Sequence, residues 1–138
     1  GAIGYLETDE ENLKIFDVIS KALKPGGKHF MDVCNAEHAE HFFPTKRWEE
    51  GQKALALSLF EWDKETRRML YGGWNLPYGA IMQKPEITHG DPTRLYSIDE
   101  LENILGERQM KIVNTFSDYY GKEASYNELQ LLAYSIKM

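Results

Sequence analysis

The sequence is poor in several things, and each shortage narrows what the chain can be. Cysteine occurs once, at Cys34, so no internal disulfide can form, which fits a reducing cytoplasm. There is no stretch of roughly 18 apolar residues and no charged-then-apolar leader, so neither a membrane span nor a signal peptide is read. Positive charge is also scarce: 16 Lys and Arg stand against 22 Asp and Glu, for a net charge of −6. The basic residues are scattered singly. That argues against a general nucleic-acid or membrane-surface binder, which needs a basic footprint, and leaves room only for a local site on one specific RNA. An initiator methionine is missing too; the chain opens on Gly1-Ala2-Ile3-Gly4-Tyr5, as a processed product, a fragment or a shortened chain would.

What is present suits a folded domain. The 138 residues are 42% hydrophobic, and Trp 3, Tyr 8 and Phe 6 are spread along the chain, enough for one core. Thr8-Asp9-Glu10-Glu11 is a capping box, and Leu13, Ile15, Phe16, Ile19, Ala22 and Leu23 follow with helical spacing, predicting a helix over 9–23. Pro25 cannot continue it, and Gly26 or Gly27 can take the left-handed turn that closes it. The run Phe30-Met31-Asp32-Val33-Cys34 reads as a strand buried on both faces, with Asp32 needing a hydrogen-bonding partner or a wet strand end.

The texture then changes. Ala54 to Trp62 alternates, Asp63-Lys64-Glu65-Thr66 is a turn, and Arg67 to Trp74 can return as the partner strand. Residues 36–93 are therefore expected to form an antiparallel β insertion. Helix–strand alternation resumes at Arg94: Ser97-Ile98-Asp99-Glu100 is a second capping box, Leu101, Ile104 and Leu105 share a face, and Gly106 is the expected stop. Met110 to Phe116 and Leu129 to Ile136 read as strands joined by a polar, aromatic loop, so the second can lie antiparallel to the first.

In that order the elements resemble the closing half of a class I S-adenosylmethionine-dependent methyltransferase. "FDVISKALKPGGKHFMDV" (16–33) is similar to the family's helix D, glycine turn and strand five. "RLYSIDELENIL" (94–105) is similar to the start of helix E, and "MKIVNTFSDYYG" with "ELQLLAYSIK" to the closing hairpin of strands six and seven. The resemblance implies an α/β fold: the C-terminal portion of a Rossmann-like sheet over 1–35 and 94–138, interrupted by a substrate-side insertion over 36–93. Gly1 to Tyr5 would be the loop past strand four. The departure is as informative. The family holds its cofactor on a glycine-rich turn after strand one, and no G-x-G-x-G run occurs here; the Gly-Gly pairs at 26–27 and 72–73 stand in other contexts. The resemblance thus implies S-adenosylmethionine in a longer enzyme, none held by this chain alone, and a missing N-terminal half of the domain as partner. It also implies an unpaired edge on the Phe30–Cys34 strand through which isolated chains would dimerise.

Site residues follow from the same resemblance, each beside a plainer role. Gly4 and Tyr5 would lie near the cofactor, beyond the carboxyl ends of the strands; otherwise they are a loop glycine and a surface aromatic. Asn35 could touch substrate or cap a turn. In "EHAEHFF" (37–43), His38 and His41 match no zinc-binding spacing, so no metal site is expected. A histidine there could still serve as a general base or meet substrate. Trp48, Trp74 and Tyr78 belong to an aromatic group with Phe42, Phe43, Trp62 and Tyr71 that could pack the insertion or line a pocket. Arg94, with Tyr96, could bind a substrate carboxylate or phosphate, or make a structural salt bridge. Cys34 has no basic neighbour in sequence and reads as a structural thiol. No catalytic residue is singled out. The expected function is transfer of a methyl group to a small molecule by the whole enzyme; the alternative is a non-catalytic binding or assembly module with the same half-fold.

Overall fold

The computed structural model describes residues 3–138; Gly1 and Ala2, which the resemblance puts in the loop past strand four, lie outside the described residues. The first helix, α1, covers Asp9–Ala22. Thr8 caps it by accepting from the Glu11 amide at 3.2 Å, but Glu11 is exposed and does not return the bond, so half of the expected capping box forms. Phe16 is fully buried and Leu13, Ile19 and Leu23 pack beside it, whereas Ile15 stays 39% exposed and falls outside the expected apolar face. Gly26 takes φ +84°, and its amide donates to Lys137 while Gly27 accepts from Lys137, so the glycine turn also closes the end of the sheet.

Strand β1 (Lys28–Cys34) is followed by helix α2 (Ala36–Phe42), then by strands β2 (Thr45–Glu50), β3 (Ala54–Asp63) and β4 (Arg68–Pro77), and the two-residue strands β5 (Thr88–His89) and β6 (Thr93–Arg94). Helix α3 (Ile98–Gly106), β7 (Met110–Phe116) and β8 (Gln130–Lys137) complete the chain. The strands form two sheets. One is three-stranded, ordered β1-β8-β7 and antiparallel throughout; the other runs β2-β3-β4-β5, with β6 also on β4. The hairpin expected from alternation is β3–β4, paired from Ala54–Pro77 to Asp63–Arg68.

Helices α1 and α3 cover one face of the three-stranded sheet, where Phe16, Leu101 and Leu105 meet Met31, Met110, Leu131 and Ala133. That arrangement corrects the reading of β1 as buried on both faces: Met31 is 4% exposed, but Phe30, pointing the other way, is 46% exposed. The opposite face is only partly covered: Leu132, in register with Asp32, is fully buried on it, while Phe30 is exposed. Asp32 lies on this wet side and accepts from the Tyr119 hydroxyl at 2.6 Å and from Gln130 at 3.2 Å.

Helix α3 begins with the full capping box, Ser97 and Glu100 each accepting the other's amide. It ends at Gly106, the expected stop, though not through a left-handed glycine. Gly106 remains helical, and Gln109 takes the left-handed turn at φ +58°. Arg108 holds the turn, donating to Asp17 at 2.6 Å while its carbonyl accepts from Ser20, so tertiary bonds override the local preference. No helix is long and apolar enough to cross a membrane.

Candidate functional site

The carboxyl end of β1 is the point where the two sheets meet. Asn35 follows the strand, and its backbone forms a parallel bridge with Tyr96, just before α3. On the other side the N-terminal segment is drawn in by Arg94, whose amide donates to the Gly4 carbonyl at 2.8 Å. Gly4 has φ +93°, and a Cβ there would stand 2.0 Å from the Arg94 carbonyl oxygen, so glycine is required for this approach. Between these segments is a small cleft of about 70 Å³, walled by Tyr5, Val33, Cys34, Met69, Arg94 and Tyr96 among others. A wider cleft of about 340 Å³ flanks the same strand end, bordered by Asp32, Cys34, His38, Arg47 and Gln130.

Arg94 is not a free cation. It donates to Glu100 at 2.6 Å, lies 3.6 Å from Asp9 and stacks over the Tyr96 ring at 4.6 Å. Glu100 also takes a hydrogen bond from Arg67, which continues to Glu40 on α2. Burial alone would raise the Glu100 carboxyl, but hydrogen bonds from Arg67 and Arg94 and from the Ser97 amide outweigh it and hold the pKa at about 2. Burial pushes the Tyr96 hydroxyl up, and that oxygen has no partner among the described residues. Burial likewise raises the Cys34 thiol, which keeps it protonated at neutral pH.

The other candidates are distributed unevenly. Asn35 is 1% exposed and caps α2, its Oδ1 accepting from Glu37 and its Nδ2 donating to Ser125. His38 is 5% exposed and borders the wider cleft; its Nδ1 lies 2.9 Å from the Tyr126 carbonyl, and its Nε2 is buried with no partner among the described residues. His41 has its Nδ1 at 2.8 Å from the Glu37 carbonyl and its ring stacked on Tyr126. Among the described residues no group of three or more His, Cys, Asp or Glu is placed to hold a metal ion. Trp48 is on the outer strand of the second sheet, 63% exposed. Trp74 and Tyr78 border a third cleft beside Leu55, and the Tyr78 hydroxyl donates to Gly51 across the hairpin end. Tyr5, Arg94 and Tyr96 are thus gathered at one cleft, with Gly4 bonded to Arg94 and Asn35 bridged to Tyr96; His38 stands at the neighbouring one, Trp48 and Trp74 lie in the second sheet, and Tyr78 just past its β4.

Sequence reasoning missed Glu100 as the hub of two arginines, and Met69 and Thr93 as cleft walls. Glu100 carried a signal, the capping box, but that signal spoke only for its contact with Ser97.

No family model and no curated protein matches the chain. Solved structures do. The chain is similar to the CcbJ methyltransferase from Streptomyces caelestis, with a TM-score of 0.74 and 14% identity over 98% of this chain and 56% of that one. It is also similar to an S-adenosylmethionine-dependent methyltransferase from Clostridium acetobutylicum, with a TM-score of 0.67 and 13% identity over 99% of this chain and 55% of that one. A third is CalS10 from Micromonospora echinaspora, an amino pentose methyltransferase bound to S-adenosylmethionine, with a TM-score of 0.60, 14% identity and the same coverage of 99% and 55%. Identity this low speaks for the fold. The chain spans about half the length of the structures it matches.

Proposed function

We propose that this chain is the substrate-side, C-terminal half of a class I methyltransferase domain that, when whole, methylates a small molecule. The observation that carries the proposal is topological. In this family strand seven lies antiparallel between strands five and six, and here β8 lies antiparallel between β1 and β7, with α1 and α3 on one face. The likeness to methyltransferases along nearly all of this chain, against about half of theirs, supports the same reading. The second sheet then stands where the family carries a substrate-side insertion.

The small cleft walled by Tyr5, Arg94 and Tyr96 does not by itself fit S-adenosylmethionine. The cleft beside Gly4 and Tyr5 is about 70 Å³, while ligand pockets commonly run to about 300–1,000 Å³. On this reading the chain supplies one wall of the cofactor site, and the open edge of β1 receives the preceding half of the sheet. The cofactor would bring the methyl group; these residues would bind and orient the acceptor, which is a large part of such catalysis. His38 is the side chain best placed to take a proton from the acceptor. Its Nδ1 is held on the Tyr126 carbonyl, which leaves the buried Nε2 as the ring nitrogen without a partner, in a residue that borders the wider cleft.

The test is to express the reading frame continued upstream of Gly1 and to compare it with the 138-residue chain by calorimetry against S-adenosylmethionine. Micromolar binding by the longer protein and none by the shorter is expected. Tight binding by the 138-residue chain alone, or an upstream frame without a glycine-rich strand–turn–helix, overturns the half-domain reading in favour of a binding or assembly module.

A further inference from the structure

Strand β2 reads Thr45-Lys46-Arg47-Trp48-Glu49-Glu50, two bases, a tryptophan and two acids. It forms one border of the second sheet, and Lys46 through Glu50 are all exposed. Its backbone orientation follows from the hairpin end. The Gly51 amide donates to the Ala54 carbonyl, so in the antiparallel register that follows, Glu49 and Arg47 point their peptide groups at β3. On the far side of β3, the Tyr78 amide donates to Lys53, which requires the same alternation. Lys46, Trp48 and Glu50 therefore turn their N–H and C=O groups outward, and none of these groups has a partner among the described residues.

We propose that a second copy of this chain pairs with that edge, β2 against β2, antiparallel and centred on Trp48. In this register Trp48 faces its own copy as a hydrogen-bonded pair, and Lys46 faces Glu50 of the other copy through the remaining outward groups. Arg47 faces Glu49 on the other side of the sheet. Each base meets an acid, and opposite charges directly across neighbouring strands attract while like charges repel. The alternatives are worse. Parallel pairing would set Lys46 on Lys46, and a slip of the antiparallel register by two residues would set Arg47 on Arg47 or Glu49 on Glu49.

Charged residues on an edge strand commonly prevent promiscuous pairing. Here their order excludes other registers and admits this one. None of Lys46, Arg47, Glu49 and Glu50 is in an ion pair among the described residues; Arg47 has only the Phe60 ring, at 5.0 Å. An apolar row also runs to the edge. Trp48 is in register with Leu57, and Leu57 with Trp74, so the row would continue through the dyad into the second copy. The inference rests on β2 alone and is independent of the function proposed above.

Sedimentation equilibrium of the 138-residue chain at low salt tests it. The native chain is expected to form a dimer. The variants K46E/R47E and E49K/E50K are each expected to weaken it on the order of a hundredfold, because every cross-strand pair becomes repulsive. Mixing the two is expected to restore a heterodimer. The fourfold exchange K46E/R47E/E49K/E50K is expected to pair with itself and not with the native chain. W48E, which sets two carboxylates together at the dyad, gives a second route to loss should a double variant misfold, and circular dichroism checks folding in each case. A native chain that stays monomeric at high concentration overturns the proposal. So does a K46E/R47E dimer as tight as the native one, which would point to the unaltered β1 edge.

Discussion

In the three-stranded sheet, Leu131, Leu132 and Ala133 are at most 1% exposed, and Phe16, Leu101 and Leu105 close over it from α1 and α3. Along β3 of the second sheet, every residue from Ala54 to Trp62 keeps part of its surface in water. The first region is held by side chains packed out of solvent. The second is held by a long hydrogen-bonded ladder, with α2 packed near one side through Ala36 and Ala39. Between the two lies a seam of charge, in which Glu100 of α3 holds Arg67 at the β3–β4 turn and Arg94 on β6. The contrast teaches where damage should spread. A lesion in the packed region removes contacts from several elements at once, a lesion in the seam uncouples two regions, and a lesion in the ladder stays local.

The largest expected effect is therefore in the packed region. Phe16→Ala should cost about 3–5 kcal/mol, as buried aromatic truncations do, and urea unfolding would measure it. A loss under about 1 kcal/mol would break the comparison. At the seam, Glu100→Gln should cost about 2 kcal/mol, since it leaves Arg67 and Arg94 short of a charged acceptor. It should also change the acid limb of stability. The Glu100 pKa is lowered from 4.5 to about 2, so its contribution is complete above about pH 4.5 and is lost as pH falls toward 2. Thermal melts at stepped pH should show a shallower fall over that window in the variant than in the native chain. The smallest effect belongs to the ladder. Leu57→Ala, at a partly exposed position, should cost about 1 kcal/mol by the same urea measurement.

Much of the fold was legible because its signals are local. The Ser97–Glu100 capping box, the alternation of β3 and the Pro25-Gly26-Gly27 break each depend on a few neighbouring residues, and each marks an element that forms. Helix α2 was harder to read. Its seven residues, AEHAEHF, are too few to show a period and are held by the Asn35 cap and by burial of Ala36, His38 and Ala39. Strands β5 and β6, of two residues each, have no pattern of their own and exist because β4 is there to pair with them. The candidate site was legible as a set of residue types, not as a place. Arg94 and Tyr96 are two residues apart in sequence, but Gly4, Val33 and Met69 join them only after folding.

The sequence by itself determined the longer helices and most of the longer strands, and where most of them stop. Those choices follow from side-chain periodicity and from backbone geometry at glycine and proline, which act over a few residues. Only the tertiary structure decided that β8 lies between β1 and β7, that Gln109 and not Gly106 turns left-handed, and that Glu100 binds two arginines. Each of those outcomes is a choice among distant partners. Partners separated by tens of residues compete through burial, charge and loop closure, and that competition is resolved only when the chain has collapsed around one core.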